Sequence, residues 1–121
     1  MGITHAALFR RRILVAEDSY LLAIHAADVL EEAGAQVVGP VATVSHALEL
    51  ATSMTLDGAV YNSLLRSTRA DPLAALLDQQ MVPSVVLSLT PADNEDPLLR
   101  DHSVVQWPFD PTVSLPPCRM P

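Results

Sequence analysis

A short apolar run followed at once by two carboxylates most limits what this chain can fold into. Residues 12–16 read Arg-Ile-Leu-Val-Ala, and Glu17 and Asp18 follow directly. An unbroken apolar run of this length predicts a β-strand buried on both faces, as in a parallel sheet. Open α/β sheets bind their ligands at the carboxyl ends of their strands. The two carboxylates therefore indicate a site for a hard cation such as Mg²⁺, which prefers oxygen ligands. The alternative is that Asp18 or Ser19 simply caps the next helix.

The rest of the chain alternates predicted strands with predicted helices. Gly34 favours a helix end, Gly39-Pro40 a strand end and Asp57-Gly58 a turn, while residues 63–69 are predicted to form a polar loop. The predicted strands are 12–17, 35–39, 59–62, 84–89 and 103–106, and the predicted helices are about 19–33, 43–54, 72–81 and 91–102. This alternation predicts an α/β fold: a doubly wound, five-stranded parallel sheet in the flavodoxin-like order 2-1-3-4-5. We expect one domain over residues 1–121, with a core at about 11–111, an N-terminal extension at 1–10 and a proline-rich tail at 112–121.

Composition excludes several classes of protein. The chain has 121 residues, of which half are hydrophobic, so it is long enough to bury one core. Its net charge of −7 argues against direct nucleic-acid binding, and it lacks an apolar stretch long enough to cross a membrane. The single Cys118 leaves no internal disulfide and suits a cytoplasmic protein. All seven basic residues are Arg, which excludes a Walker-A or Schiff-base lysine.

Several motifs in register give the chain its family resemblance. They are the strand with its acidic pair at 12–18, Val-Val-Gly-Pro-Val-Ala at 37–42, Val-Pro at 82–83 and Pro-Phe-Asp-Pro at 108–111. Over about residues 11–111 the chain resembles the receiver domain of bacterial two-component response regulators. The last three motifs resemble a subgroup of stand-alone receivers. The resemblance implies a CheY-like version of the predicted sheet.

The resemblance also implies a phosphorylation site, of which this chain keeps only part. Receivers accept a phosphoryl group on an aspartate at the end of strand three. An acidic pair and that aspartate hold Mg²⁺, a lysine follows strand five, and a Ser or Thr ends strand four. Glu17 and Asp18 match the acidic pair and Ser88 matches the hydroxyl position. The acceptor position is Asn62, and the lysine position is Trp107.

Without the nucleophile and the lysine, this chemistry should not occur. A carboxamide is not a useful nucleophile, and an indole N–H carries no charge. The two losses balance, because three carboxylates with one lysine and two carboxylates alone both carry a formal −2. The resemblance therefore implies a degenerate receiver, or pseudo-receiver. It would not be an enzyme, would need no cofactor, and would hold Mg²⁺ at most weakly at Glu17 and Asp18.

We expect such a chain to act in two-component signal transduction through protein contacts. Its partner would be a histidine kinase or another regulator, in the bacterial cytoplasm, with no nucleic acid or membrane involved. Asn62 is interpreted either as a hydrogen-bonded loop residue or as a permanent mimic of one signalling state. Trp107 is interpreted either as an aromatic plug at the pocket mouth or as a partner-binding aromatic.

Two other functions stay open from the sequence. One is a working phospho-receiver with an unusual acceptor such as Asp57, although Asp57 is first of all a turn former before Gly58. The other is a flavodoxin-like binder of a small ligand in a pocket under Trp107. The histidines have no ligand-like spacing, and we expect each to be an ordinary surface residue; they are His5, His25, His46 and His102.

The C-terminal sequence predicts that the usual last helix is truncated or absent. Asp110 and Pro111 can begin a helix after strand five, but Pro116 and Pro117 stop it after little more than one turn. Apolar sheet surface beside the first helix should then be exposed, which favours a homodimer or a tight complex with a partner. The segment Ile3–Phe9 could cover the same face instead.

Overall fold

The fold is known from a computed structural model, which describes residues 8–88 and 103–106. For Ser88 and residues 103–106 it describes the backbone. The strands of the main sheet and the helices between them are β1 Arg12–Ala16, α1 Tyr20–Glu32, β2 Gln36–Val41, α2 Val44–Ser53, β3 Gly58–Asn62, α3 Asp71–Gln79, β4 Ser84–Ser88 and β5 Ser103–Gln106. A small separate hairpin pairs Leu64–Leu65 with Thr68–Arg69.

The main sheet has the predicted topology. Its strand order is β2-β1-β3-β4-β5, and every neighbouring pair is parallel. The register places Ala16 beside Tyr61, and Asn62 beside Leu87. The carboxyl ends of β1, β3 and β4 therefore lie along one edge of the sheet. The flavodoxin-like order predicted from the sequence is confirmed.

The central strands are buried on both faces, as their unbroken apolar runs predict. In β1, the side chains from Ile13 to Ala16 are at most 1% exposed. One core packs the sheet against α2 and α3 and includes Leu14, Tyr61 and Leu77. The other core packs the opposite face against α1 and includes Val15 and Leu30. Because helices cover both faces, a site formed by the sheet is expected at the carboxyl ends of its strands.

The prediction that β2 ends at Gly39-Pro40 is wrong, because β2 continues to Val41. The β1–β2 register shifts because two steps along β1, from Leu14 to Ala16, face three steps along β2, from Val38 to Val41. This marks a bulge in β2 at Gly39-Pro40. Gly39 has φ +102°, and a Cβ atom there would lie 2.9 Å from the carbonyl oxygen of Val15. Only glycine fits this backbone without strain. The bulge lets the Glu17 N–H donate to the Val41 carbonyl oxygen at 2.9 Å, so pairing extends into the acidic pair.

The helix boundaries follow the predicted signals closely. Thr43 caps α2, because its hydroxyl accepts a hydrogen bond from the His46 N–H at 3.1 Å. Gly34 follows α1 with φ +97°, as a helix-ending glycine should. Ser19 is the residue before α1, but its side chain makes no capping hydrogen bond. The third helix begins one residue and ends two residues earlier than expected, at Asp71–Gln79.

The predicted polar loop at residues 63–69 is instead the small hairpin. Its two-residue turn is Arg66-Ser67, and both residues have positive φ, +51° and +68°. Positive φ at both central residues is the signature of a type I′ turn, which matches the twist of two paired strands. The hairpin buries Leu65 completely against the core beside Tyr61.

The sheet face on the α1 side is covered within the single chain. Val60 and Val85 are each 1% exposed and Leu87 is 4% exposed. Leu8 is 6% exposed and belongs to the same core, so part of the Ile3–Phe9 segment does pack there. The expected exposed face, which was the physical basis of the dimer prediction, is therefore not found on these strands. The predicted helix at 91–102, the tail after 106 and the question of the last helix lie outside the described residues.

Within the described ranges, no helix is both long enough and apolar enough to span a membrane.

Candidate functional site

The candidate site lies where β1 and β3 end side by side. Glu17 and Asp18 follow β1, and Asn62 is the last residue of β3. Because these strands are parallel neighbours, the sequence predicted that the three side chains meet at one edge. The Asn62 side-chain Nδ2 donates a hydrogen bond to Glu17 Oε1 at 3.1 Å. Glu17 of the acidic pair and Asn62 at the end of β3 are therefore in direct contact.

Glu17 is a buried carboxylate held by N–H donors. It is 3% exposed, and its Oε2 accepts a hydrogen bond from the Ser19 N–H at 3.0 Å. Burial raises the pKa of Glu17 above its ordinary value, although the hydrogen bonds from Ser19 and Asn62 act in the opposite direction. Both Glu17 oxygens are thus engaged by groups of this chain.

The carboxamide of Asn62 bridges the site in a single orientation. Its Oδ1 accepts a hydrogen bond from the Leu64 N–H at 3.1 Å, while its Nδ2 donates to Glu17. A flipped amide would place its NH₂ group against the Leu64 N–H and lose both bonds. The Oδ1 contact with the residue two positions ahead is an Asx-type turn, which starts the hairpin. Asn62 therefore links β1 to the segment after β3.

Asp18 holds the hairpin turn against the sheet. Its Oδ2 accepts a hydrogen bond from the Arg66 N–H at 2.8 Å. This hydrogen bond is the main reason that the pKa of Asp18 is lowered from its ordinary value, and partial burial opposes it. The bond crosses 48 positions of the sequence. It fixes the position of a turn whose two non-glycine residues have positive φ.

Magnesium is the metal that the receiver resemblance implies, and the donor set here differs from the one that this ion requires. Mg²⁺ requires six oxygen ligands in octahedral geometry and keeps several waters. Here the third position offers an amide whose oxygen already accepts a hydrogen bond, and whose NH₂ group faces Glu17. Among the described residues there is also no cluster of three His, Cys, Asp or Glu side chains able to hold a metal. The residues present do not fit a tightly bound Mg²⁺.

A cavity of about 230 Å³ opens beside the acidic pair. It lies between the start of α1 and the segment that follows the β2 bulge. Its wall combines the two carboxylates and Arg66 with apolar groups. The lining residues are Glu17, Asp18, Tyr20, Ala23, Ile24, Pro40, Val41, Ala42 and Arg66.

The structure describes the other predicted site residues to different extents. Ser88 ends β4, at the same edge of the sheet as Asn62, and its backbone alone is described. Trp107 lies outside the described residues. Asp57 lies at the opposite edge, where its Oδ2 accepts a hydrogen bond from the Arg12 N–H at 2.9 Å. Arg12 and Glu17 are five positions apart, which corresponds to about 16 Å of extended chain, so Asp57 cannot share the acidic pair.

Arg66 is the residue that sequence reasoning missed. It reaches the site because it lies in the two-residue turn of the hairpin. The sequence of that turn, Arg66-Ser67, lacks the Asn-Gly or Asp-Gly signal of a type I′ turn. Nothing in the sequence indicated that residue 66 would contact residue 18. The two described histidines, His25 and His46, are exposed on α1 and α2, as expected.

Proteins of known structure share this fold. SdrG from Sphingomonas melonis Fr1, a response-regulator receiver domain, is 31% identical, and the match covers 87% of this chain and 88% of SdrG with a TM-score of 0.72. The chain belongs to the receiver domains of response regulators. The signal receiver domain of NarL from Mycobacterium tuberculosis matches at 17% identity over 86% of this chain and 89% of that one, with a TM-score of 0.68, which supports the fold alone.

Longer proteins also contain this fold. The response regulator PhyR from Brucella abortus matches with a TM-score of 0.74 and 21% identity over 92% of this chain. This chain spans 47% of the length of that PhyR. No family model and no curated protein matches the sequence. The family assignment therefore rests on the fold together with the identity to SdrG.

Proposed function

We propose that this chain is a pseudo-receiver: a receiver domain of a two-component pathway that acts by protein contact and is not phosphorylated. The observation that carries the proposal is the position and bonding of Asn62. The residue at the end of β3 is a carboxamide, and both of its polar atoms already bind groups of the same chain. A phosphoryl acceptor needs a free carboxylate oxygen at this position.

The wiring of the acidic pair supports the same proposal. Glu17 and Asp18 accept hydrogen bonds from Asn62, Ser19 and Arg66. Through these hydrogen bonds the two carboxylates connect the end of β1 to the end of β3 and to the hairpin turn. We propose that the site binds Mg²⁺ weakly, needs no cofactor, and catalyses no reaction.

The direct test is incubation with a small-molecule phosphodonor and Mg²⁺, followed by intact-protein mass spectrometry. We expect no added phosphate mass. A labile phosphoryl adduct on any aspartate would contradict the proposal and would revive the alternative of an unusual acceptor. Asn62→Asp alone should restore only weak phosphorylation, because Trp107 still occupies the lysine position.

Beryllofluoride offers a second test that does not depend on phosphoryl transfer. SdrG from Pseudomonas melonis Fr1, which is 33% identical to this chain, has been solved in a BeF₃-activated conformation. We expect BeF₃⁻ with Mg²⁺ to leave the amide NMR spectrum of this protein unchanged. A saturable change at the hairpin would show that the site still accepts a phosphoryl analogue.

We propose that the partner is a protein of the same pathway, a histidine kinase or another regulator, in the cytoplasm. A homodimer stays a prediction, with less support now that the α1-side strand residues are known to be buried within one chain. Light scattering at micromolar concentration decides it. A monomer would contradict the homodimer prediction and favour a different protein as the partner.

A further inference from the structure

The cavity beside the acidic pair differs from a pocket for a whole small molecule. Its volume is about 230 Å³. Pockets for drug-sized ligands usually have volumes of roughly 300–1,000 Å³. A space of this size suits one long side chain. Its walls include the apolar residues Ile24, Pro40 and Val41, against which an aliphatic stem can pack.

The surface at the mouth of the cavity is apolar and open. Tyr20 and Ile24 line the cavity and are 77% and 38% exposed, and Leu21, which follows Tyr20 on α1, is also 77% exposed. Large apolar side chains grouped on one exposed helix turn are typical of surfaces that contact another protein. An apolar rim around a one-side-chain cavity indicates a protein occupant.

The charge around the cavity favours a positive occupant. Two carboxylates, of Glu17 and Asp18, and one guanidinium, of Arg66, line it, which leaves the wall with a formal charge of −1. The helix sequence from 20 to 32 contains no Lys or Arg. Potentials at protein interfaces are complementary, so an acidic cavity with apolar walls selects a cation on an aliphatic stem.

Within the described part of the chain, Arg66 does not supply the cation that pairs with these carboxylates. It lines the cavity, but its side chain is exposed and makes no ion pair with Glu17 or Asp18 there. The contact between Arg66 and Asp18 runs through the backbone N–H. The positive charge of Arg66 contributes to the lowered pKa of Asp18 without forming a direct ion pair, so the Asp18 carboxylate can still pair with a cation from outside.

We propose that a protein partner docks on the start of α1 and inserts one arginine or lysine side chain into this cavity. The charged end of that side chain lies at Asp18, and its methylenes pack against Ile24 and Val41. Neighbouring apolar side chains of the partner cover Tyr20 and Leu21. The inference rests on the proposed function, because it names the kind of contact by which a pseudo-receiver would bind its partner. The partner supplies in trans a positive charge beside the acidic pair.

The test uses defined fragments of such a side chain. The ¹⁵N-labelled protein is titrated with n-butylguanidinium, with methylguanidinium, and with neutral n-butylurea. We expect saturable, millimolar shifts of the Ser19 and Arg66 amides and of the Asn62 side-chain NH₂ with n-butylguanidinium. Methylguanidinium should bind several-fold more weakly because it lacks the apolar stem. Equal responses to n-butylurea, or shifts confined to other residues, would overturn the proposal.

A pair of matched variants locates the charge that matters. Asp18→Asn keeps the acceptor for the Arg66 N–H but removes the charge, and it should weaken n-butylguanidinium binding roughly three- to tenfold. Asp28→Asn makes the same change of charge on the exposed side of α1, away from the cavity lining, and should leave binding unchanged. Equal effects of the two variants would mean that only the net charge matters, which would contradict the proposal.

The other possible occupants give different results. A second copy of this chain could offer Arg10, Arg11 or Arg12; the same resonances would then shift on dilution of the protein alone. If Arg66 fills the cavity, Arg66→Ala should tighten n-butylguanidinium binding more than tenfold. Micromolar binding of a free alkylguanidinium would identify a small-molecule site. Each of these results would overturn the proposal that a protein partner occupies the cavity. If the guanidinium probes do not bind and the protein is also not phosphorylated, the docking proposal fails but the pseudo-receiver proposal stands.

Discussion

Asn62→Asp should make the stability of this protein depend on Mg²⁺. The change replaces the Nδ2 donor, 3.1 Å from Glu17 Oε1, with a second carboxylate oxygen. Two unit charges about 4 Å apart repel by about 4 kcal/mol at an effective dielectric constant of about 20. Loss of the hydrogen bond adds about 1 kcal/mol. Because one carboxyl can take up a proton and limit this cost, we expect a loss of about 2–4 kcal/mol at pH 7.

The assay is thermal unfolding in EDTA and in Mg²⁺. For a domain of this size the expected loss lowers Tm by roughly 8–16 °C. The new carboxylate also completes a set of three acidic ligands, so millimolar Mg²⁺ should recover about 1–3 kcal/mol of it. Lower pH should also reduce the deficit, because protonation of either carboxyl removes the repulsion.

Asn62→Ala is the matched control for this variant. It removes the same hydrogen bonds without adding a charge, so it should lose stability but show no recovery with Mg²⁺. The wild-type Tm should change little in millimolar Mg²⁺. If Asn62→Asp in EDTA were as stable as the wild type, or if the wild type responded to Mg²⁺ as strongly as the variant, the assigned role of Asn62 would be wrong.

Three further outcomes follow from the backbone and from the acidic pair. Gly39→Ala should lower the free energy of unfolding by about 2 kcal/mol or more, measured by urea denaturation, because of the positive φ and the close approach to the Val15 carbonyl oxygen. Asp18→Ala should speed hydrogen exchange at the Arg66 amide, whereas Asp18→Asn should largely preserve its protection. A ¹³C-carboxyl NMR titration should give Glu17 a pKa above its ordinary 4.5 and Asp18 one below 3.8. Glu17 then contributes to stability below pH 4.5, and this contribution is lost as the pH rises through its folded pKa. Asp18 contributes to stability above pH 3.8, and its contribution is lost as the pH falls through its folded pKa.

The strands and their order could be predicted because burial on both faces leaves a clear mark in the sequence. Runs such as residues 12–16 and 84–88 are apolar without alternation, and Gly34 and Thr43 mark helix ends by well-understood chemistry. The course of β2 could not be predicted in the same way. Gly39-Pro40 usually ends a strand, and only the pairing with β1 shows that it forms a bulge instead.

The candidate site could be predicted in its members but not in its bonding. The parallel register brings Glu17 and Asn62 together, as expected from their positions after β1 and β3. The hairpin that carries Arg66 to Asp18 had no sequence signal, because its turn lacks glycine. The cover of the sheet face near Val60 could not be inferred either, since it depends on long-range packing by residues such as Leu8.

The local bonding explains how a buried carboxylate is accommodated at the end of β1. A buried carboxylate is costly unless donors surround it. Here four N–H groups supply the hydrogen bonds: two reach Glu17, one reaches Asp18 and one reaches the Asn62 oxygen. Replacing Asn62 with alanine or leucine would remove one donor to Glu17 and the turn at Leu64. Among uncharged side chains of similar shape, asparagine supplies both. Asn62 therefore closes the hydrogen-bond network around Glu17, a residue that also lines the cavity beside α1.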